Sequence, residues 1–118
     1  MTQSHIHNPR ISDVSEKVIQ AAKDTLGDKL DKVILYGSYA RGDFDEESDI
    51  DFFILADVPQ EEVSEWDSAI YKRLRDLNLE YDILVQVGVT GREVFYRFVD
   101  ILPFYMNVTK EGVELYAS

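Results

Sequence analysis

The stretch VILYGSYARGDFDEESDIDFFIL, residues 33–55, determines which fold we expect for this chain. It contains two apolar runs, residues 33–36 and 52–55, whose β-branched and aromatic side chains are typical of buried strands. The first run ends at Gly37-Ser38, and the second follows directly after Asp49-Ile50-Asp51. We therefore expect two strands with polar residues at one end of each, a glycine–serine turn in one case and a carboxylate pair in the other.

The rest of the chain predicts helices that alternate with one further strand. We expect Ser12 to cap a first helix that stops at Gly27, and Pro59 to introduce a longer helix. Thr90 is expected to cap a last helix that Pro103 interrupts before a short tail. The predicted strands span residues 32–36, 49–56 and 80–87, with a short helical turn over 38–41. This order of elements predicts a small α/β or α+β sandwich with a mixed sheet.

Length and composition limit the class of protein. With 118 residues, the chain is expected to form one domain, residues 11–118, after a flexible N-terminal segment, residues 1–10. It has no cysteine, which excludes disulfides and thiolate metal sites. No apolar run approaches the ~20 residues that a membrane span requires. We expect a cytoplasmic protein that binds no membrane.

The charge of the chain argues against direct binding of nucleic acid. There are 12 basic residues against 23 acidic ones, for a net charge of -11. A protein that follows a nucleic-acid backbone needs clustered lysine and arginine. A small nucleotide is still compatible with this charge, because metal ions can neutralise its phosphates locally. A basic protein partner is also plausible electrostatically, and the oligomeric state is left open.

The carboxylate pair is a candidate site for divalent metal. Asp49 and Asp51 are two residues apart, so in a strand both side chains leave the same face. Hard cations such as Mg2+ prefer oxygen ligands and leave coordination places for water and phosphate. A pair of such ions needs a third carboxylate. Asp82, at the start of the third predicted strand, is the best candidate, and Glu80 is the reserve.

The glycine–serine turn is a candidate phosphate site. Gly37 allows a close approach of backbone to a ligand, and Ser38 adds a hydroxyl donor at the start of the short helical turn. Arg41 lies one helical turn further on, where it could reach a phosphate or brace the acidic loop. The basic residues of the long helix could also contact a triphosphate, but an exposed helix face is the simpler interpretation; they are Lys72, Arg73 and Arg75.

Each of these motifs alone has a structural interpretation. A Gly-Ser pair is usually a turn, and an Asp-x-Asp pair is usually a solvated strand end. Their combination favours function, because the turn and the carboxylate pair each adjoin an apolar strand. Aspartate also has a low strand propensity, so that two of them beside a buried run carry a local cost that calls for a reason.

The motif from Leu35 to Asp43, continued from Ser48 to Ile54, resembles the signature of the polymerase-β nucleotidyltransferase superfamily. More narrowly, the chain resembles the minimal nucleotidyltransferases, and its ending, residues 103–116, is similar to tails in that group. The resemblance covers nearly the whole chain after its polar head. It implies a small mixed β-sheet with helices packed on it.

The resemblance also implies a set of site residues and a reaction. The metal ligands map to Asp49, Asp51 and Asp82, for two Mg2+ ions, and the triphosphate-contacting pair to Gly37 and Ser38. In toxin–antitoxin members of the group, AMP is transferred from ATP to a tyrosine of a HEPN ribonuclease. The resemblance therefore predicts ATP as substrate, a HEPN-domain partner and an antitoxin role.

Two other functions are compatible with the sequence. The chain could be a non-catalytic antitoxin that binds nucleotide and acts by occluding its partner. It could also transfer a nucleotide to a small hydroxylated molecule such as an aminoglycoside, although one short domain offers little surface to enclose such an acceptor.

Overall fold

A computed structural model describes residues 9–43, 49–81 and 84–118 of the protein. Within these ranges the chain forms five helices and four strands. The helices are α1 (Pro9–Leu26), α2 (Ser38–Arg41), α3 (Val63–Tyr81), α4 (Arg92–Phe98) and α5 (Pro103–Glu111). The strands are β1 (Leu30–Tyr36), β2 (Ile50–Ala56), β3 (Val85–Gly91) and β4 (Val113–Ala117). None of the helices in the described ranges is long and apolar enough to cross a membrane.

The four strands form one mixed sheet in the order β3-β2-β1-β4. Strand β1 is antiparallel to both β2 and β4, whereas β2 and β3 are parallel. The parallel pair is connected through α3, as parallel neighbours require a crossover. The predicted mixed sheet with packed helices is therefore confirmed.

The two faces of the sheet are covered differently. Alternate residues of β2, such as Phe52 and Ile54, pack with α1 and α3 in the larger core cluster. Phe53 and Leu55 point to the other face, where they meet Phe95 of α4 and other residues in a smaller cluster. Strand β2 is thus buried on both sides over most of its length. The smaller cluster covers only part of the second face.

Side chains from the α3 region satisfy backbone groups at the edge of the sheet. The N–H of Val89 donates to Asp67 Oδ1 at 2.7 Å, and the N–H of Gly91 donates to Gln60 Oε1 at 2.8 Å. Burial raises the pKa of Asp67, although the hydrogen bond from Val89 opposes this effect. These contacts occupy edge groups that could otherwise pair with another chain, and they fix β3 against α3.

The beginning of α1 differs from the prediction. The helix starts at Pro9, so Ser12 lies inside the helix and does not cap it. The reason is that Ile11 is buried in the core together with the other apolar residues of this helix, so the helix must begin before it. Proline suits the first helical position because its fixed φ is helical. The predicted flexible segment, residues 1–10, falls mainly on residues 1–8, which lie outside the described ranges.

The third strand and the C-terminal tail also differ from the prediction. The predicted strand at 80–87 was placed too early, because α3 continues to Tyr81 and β3 begins at Val85. Thr90 lies within β3, and Gly91 is the residue that precedes α4. Pro103 begins helix α5 at a position where a missing N–H costs nothing, and the tail forms strand β4.

Gly112, between α5 and β4, provides a test of this packing. A Cβ at this position would overlap the carbonyl oxygen of Val108 and the side chain of Ile34. We expect Gly112→Ala to lower the free energy of unfolding by about 1–3 kcal/mol, as overpacking does elsewhere. Denaturant unfolding measures this change. Gly88→Ala is the matched control, since a Cβ at Gly88 meets nothing within 4 Å. Equal stabilities of the two variants would contradict the packing of α5 against β1.

Candidate active site

The backbone of Gly37 lies directly against the carboxylate of Asp51. Gly37 has φ 79° and ψ -154°, a conformation that residues with a side chain rarely adopt. A Cβ at this position would lie 2.7 Å from Asp51 Oδ2. The contact follows from the antiparallel pairing of β1 and β2, in which Tyr36 is the partner of Asp51. The predicted turn and the predicted carboxylate pair are therefore brought together.

The glycine–serine turn is held by its own backbone. The carbonyl of Gly37 accepts hydrogen bonds from the N–H groups of Ala40 and Arg41, each at 3.1 Å. The carbonyl of Ser38 accepts from Gly42 at 2.9 Å and from Asp43 at 3.1 Å. These bonds form the one-turn helix α2 that the sequence predicts over 38–41. The Ser38 side chain is half-buried beside the turn.

The two aspartates lie at the start of β2, and they are not equivalent. Asp51 is half-buried on the partly covered face of the sheet, and Asp49 precedes the first residue of the strand. Burial raises the pKa of Asp51, and the negative charge of Asp49 raises it further, while Arg41 lowers it. The site thus holds two carboxylates close enough to repel each other, an arrangement that a cation relieves.

Gln86 on β3 completes this part of the site. The amide Nε2 of Gln86 donates to Asp49 Oδ2 at 2.9 Å. In the parallel pairing of β2 and β3, Gln86 is also the register partner of Asp51. The sequence predicts a third strand over residues 80–87, which contains Gln86. It could not show which residue of that strand would stand beside the aspartates, because register depends on pairing between strands.

An open cleft of about 220 Å³ lies beside Asp51. Tyr36 and Phe104 form its aromatic part, and their rings meet edge-on with centroids 5.7 Å apart. Burial raises the pKa of the Tyr36 hydroxyl, and the charge of Asp51 adds to this effect. Gly88 lines the cleft without a side chain. The cleft is smaller than the ~300–1,000 Å³ of typical ligand pockets, so a nucleotide would be only partly enclosed by it.

Arg41 is exposed above the site and is paired with two acidic side chains. Its Nε lies 3.2 Å from Asp43 Oδ2, and its Nη1 lies 3.6 Å from Glu111 Oε1. Ion pairs between exposed side chains contribute little stability, so a phosphate could replace either partner. The positive charge of Arg41 lowers the pKa of Asp51, so Arg41 lies within electrostatic reach of the site. Its two exposed ion pairs do not fix its position.

The candidates for the third carboxylate do not join the pair within the described ranges. Asp82 lies outside those ranges. Glu80 is in the last turn of α3, and it lines a cavity of about 390 Å³ that α1 and α3 form on the opposite face of the sheet. The assignment of Glu80 as reserve ligand is therefore wrong, because helix α3 continues through it. Arg73 lines the same cavity, away from Asp51.

The carboxylate pair fits a hard divalent cation. Among the described residues no group of three or more His, Cys, Asp or Glu side chains is suited to hold a metal ion. Asp49 and Asp51 nonetheless offer carboxylate oxygens, the ligands that Mg2+ prefers. Burial and the negative charge of Asp49 both raise the pKa of Asp51, and a bound cation would oppose both effects. Two carboxylates leave most coordination places of such an ion for water and phosphate oxygens.

Comparison with known proteins agrees with this geometry. Residues 15–114 match the model of a family described as nucleotidyltransferase domain. A protein of Methanocaldococcus jannaschii named "Putative protein adenylyltransferase MJ0141" is 42% identical over 90 residues, which cover 76% of this chain and 83% of that protein.

Two solved structures share the fold. A Sulfolobus solfataricus structure, described as a putative nucleotidyltransferase, has a TM-score of 0.65 at 18% identity and covers 97% of this chain and 88% of that one. A toxin–antitoxin structure with AMP-PNP has a TM-score of 0.56 at 21% identity and covers 87% of this chain and 73% of that one. At such identities the likeness shows the fold alone, and it confirms the fold that the resemblance implied.

The charge repulsion in the site predicts the effect of one substitution on stability. Without divalent cations, Asp51→Asn is expected to be at least as stable as the native protein at neutral pH, because burial and Asp49 both disfavour the charged carboxylate. The folded-state pKa of Asp51 lies above its unfolded value, so the folded state binds this proton more tightly. Native stability should therefore decline as the pH rises from the unfolded pKa through the folded pKa, whereas the variant lacks this contribution.

Thermal unfolding in EDTA, from about pH 3 to about pH 8, measures the difference. The melting temperature of Asp51→Asn relative to native protein should increase as the pH rises. Asp13→Asn, on the exposed surface of α1, removes one negative charge elsewhere and is the control. A difference in melting temperature between Asp51→Asn and native protein that stays constant across this pH range would show that folding does not raise the pKa of Asp51.

Proposed function

Because this chain belongs to the nucleotidyltransferase domain family, and is an enzyme of the nucleotidyltransferase type, we propose that it transfers AMP from ATP to a hydroxyl group of a partner protein. The observation that carries the proposal is the contact between the Gly37 turn and the carboxylate of Asp51. It brings the turn at Gly37 and Ser38 next to the pair formed by Asp49 and Asp51, which supports a role for the turn in phosphate binding and for the pair in cation binding. The similarity to a protein named as a protein adenylyltransferase supports a protein as acceptor.

Each side chain of the site has a role in this proposal. Asp49 and Asp51 would hold Mg2+, which neutralises phosphate charge and helps to orient the triphosphate. The backbone and hydroxyl of Gly37 and Ser38 would hold the triphosphate, and Arg41 would exchange an acidic partner for a phosphate oxygen. Asp82 stays the candidate for the third ligand of a two-ion site, as the sequence predicts.

The reaction is a substitution at phosphorus. The acceptor oxygen forms a bond to the α-phosphorus of ATP, the bond from this phosphorus to the bridging oxygen breaks, and pyrophosphate leaves. The acceptor hydroxyl loses its proton to solvent. The protein needs no covalent intermediate for this chemistry, because positioning and charge neutralisation supply the rate enhancement.

The shape of the site supports a macromolecular acceptor. The cleft beside Asp51 is small and open, so it offers few walls to a free small molecule. Phe104 of α5 lines the cleft and is 48% exposed, and Met106 of the same helix is 46% exposed. An acceptor that brings its own surface would cover them. A small acceptor such as an aminoglycoside is therefore disfavoured.

The partner in this proposal is a HEPN-domain toxin, with a tyrosine as acceptor, in the cytoplasm where ATP is available. The resemblance of the sequence to minimal nucleotidyltransferases suggests this partner, and the fold is shared with a toxin–antitoxin structure that contains AMP-PNP. Inhibition by occlusion is the second candidate function. The exposed apolar side chains of α5 favour it, since they could bind a partner without any transfer.

Labelling with α-labelled ATP tests the transfer. Incubation of the protein with Mg2+, the labelled nucleotide and a HEPN-domain toxin from the same organism should transfer label to the toxin. Asp49→Asn and Asp51→Asn should each reduce the rate by about 100-fold or more, a typical loss when one charged group of an active site is removed. Asp13→Asn should label the partner at the native rate. If Asp49→Asn and Asp51→Asn inhibit the toxin and transfer label to it as well as native protein does, the catalytic assignment is wrong. Inhibition of the toxin without transfer of label would favour occlusion.

A pair of glycine substitutions tests the role of the turn. Gly27 and Gly37 both have positive φ, so an alanine at either position is expected to lower stability, typically by about 1–2 kcal/mol. Only at Gly37 does the added Cβ displace the Asp51 carboxylate, since nothing lies within 4 Å of a Cβ at Gly27. We therefore expect Gly37→Ala to lose nucleotide binding and Gly27→Ala to keep it.

The measurement is the rise in melting temperature on addition of Mg2+ and ATP. Native protein and Gly27→Ala should be stabilised by ~2.7 kcal/mol at a hundredfold excess over Kd, whereas Gly37→Ala should show little stabilisation. Equal stabilisation of both variants would remove the turn from the nucleotide site.

A further inference from the structure

We propose that the corner between α4 and α5 is the docking surface for the acceptor protein, where it binds an apolar patch of a partner with a net positive charge. We define this α4–α5 corner by its exposed apolar side chains, which are Tyr96, Ile101, Leu102, Phe104 and Met106. This inference rests on the proposed function, because that function supplies the acceptor protein that would dock there.

Exposed apolar side chains of the described residues are concentrated at this corner. Of the seven large apolar side chains that are exposed, five lie within residues 96–106, and the most exposed of them is Ile101 at 66%. The other two, Tyr71 and Leu84, lie elsewhere in the chain. Single exposed apolar residues are ordinary on a protein surface, whereas a cluster of them marks a place where another surface binds.

The α4–α5 corner is held in place by the packing and the backbone beneath it. Phe95 and Val108 belong to the smaller core cluster, so α4 and α5 each have one side packed on the sheet. The N–H groups of Ile101 and Leu102 both donate to the carbonyl of Phe98, at 3.0 and 2.9 Å. Hydrogen-bonded backbone thus carries the exposed apolar side chains, and a partner that binds them has little new structure to order.

The charges of the chain leave this corner nearly neutral. Residues 98–109 contain one charged side chain, Asp100, whereas the whole chain has a net charge of -11. Residues 92–111 contain three basic and three acidic side chains, so the rest of the chain, with nine basic and twenty acidic ones, carries the whole net charge. An apolar patch can therefore be buried at the corner while few charges are desolvated, and the acidic remainder attracts a basic partner over a longer range.

Phe104 joins the α4–α5 corner to the candidate active site. It lines the cleft beside Asp51, and its ring meets Tyr36 edge-on. A protein bound at the corner would therefore extend over the opening of the cleft, where its hydroxyl group has to be placed for transfer. Ile101 and Leu102 are not among the described residues that line the cleft, so docking can be altered there separately from the chemistry.

A second copy of this chain is a less suitable occupant of the corner. Each copy would bring a net charge of -11, and like charges oppose association. A copy bound at the corner would also cover Phe104 and close the cleft to an acceptor protein. A basic acceptor protein has neither disadvantage.

The test compares serine substitutions inside and outside the corner. Ile101→Ser and Leu102→Ser each remove an exposed apolar side chain, and Leu102 precedes the first residue of α5, a position that serine suits. Tyr71→Ser is the control, because Tyr71 is 48% exposed on α3, which packs on the other face of the sheet. The probe is the HEPN-domain toxin of the labelling experiment. Isothermal titration calorimetry measures its binding to each full-length variant, and the labelling rate is followed against toxin concentration.

We expect the double variant Ile101→Ser, Leu102→Ser to bind the toxin at least about tenfold more weakly than native protein, as when central side chains of an interface are truncated. The KM for the toxin should rise by a similar factor, while kcat at saturating toxin stays near the native value. Mg2+ and ATP should raise the melting temperature of the double variant as they do for native protein. A merely structural role of the two residues would instead lower stability and nucleotide binding together. Tyr71→Ser should match native protein in toxin binding, KM and kcat.

Circular dichroism establishes that each variant is folded, and each single variant should show a smaller effect in the same direction, which keeps the test decisive if the double variant does not fold. Native toxin affinity in the folded variants would overturn the inference, and so would an absence of toxin binding to native protein. Self-association of native protein that the substitutions abolish, measured by analytical ultracentrifugation, would assign the corner to a second copy and overturn it as well.

Failure of the proposed function would look different. If native protein binds the toxin but transfers no label, and the double variant binds it at least tenfold more weakly, the transfer is wrong and the docking surface stands. If native protein labels the toxin and the double variant does so with the native KM, the docking surface is wrong and the transfer stands.

Discussion

The close approach of the Gly37 backbone to the Asp51 carboxylate is the constraint on which the site depends. It arises because β1 ends where β2 begins in an antiparallel pair, with Tyr36 opposite Asp51. The residue after Tyr36 must turn away at once, and only glycine can do so at φ 79° without a side chain that meets Asp51. The serine hydroxyl, the short helix α2 and Arg41 all follow from the direction that this turn sets.

The unequal cover of the two sheet faces explains why the site is located at this end of β2. One face is packed by α1 and α3 along the length of the strands, and that packing provides most of the apolar burial. The other face is covered by the smaller cluster around Phe53 and Phe95. Asp51 lies on this second face, beyond Phe53, where the cover ends and the cleft opens. A half-buried carboxylate at this point opposes folding, and the apolar residues on either side of β2 compensate for it.

The sequence predicted the parts of this structure that depend on local chemistry. The apolar runs before Gly37 and after Asp51 are strands β1 and β2, Gly27 follows the end of α1, and residues 38–41 form the short helix. Each of these features depends on side chains within a few residues of one another. The turn and the aspartates could be recognised as belonging together because both adjoin strands that proved to be neighbours.

The parts that the sequence did not predict depend on contacts between distant segments. The sequence predicts a strand over residues 80–87, but α3 extends to Tyr81. The tail after Pro103 became α5 and β4 because β1 offers an open edge to pair with, a fact that is not visible in the tail itself. Gln86 lies within the predicted third strand, and only the register of β2 with β3 shows that it is opposite Asp51.

The net charge of the chain and the charges in the site both bear on which form of a nucleotide the site would bind. The chain carries a net charge of -11, and its site adds two adjacent carboxylates to an already acidic molecule. Arg41, whose positive charge lowers the pKa of Asp51, also forms ion pairs with Asp43 and Glu111. A bare triphosphate would be repelled from such a site, and among the described residues a bare cation would meet two adjacent charged ligands, Asp49 and Asp51. In the proposed function, cation and triphosphate together would match the charge of the site, since each carries the charge that the other needs. The acidic net charge from which we expect no direct binding of nucleic acid is thus compatible with the metal-bound form of a small nucleotide.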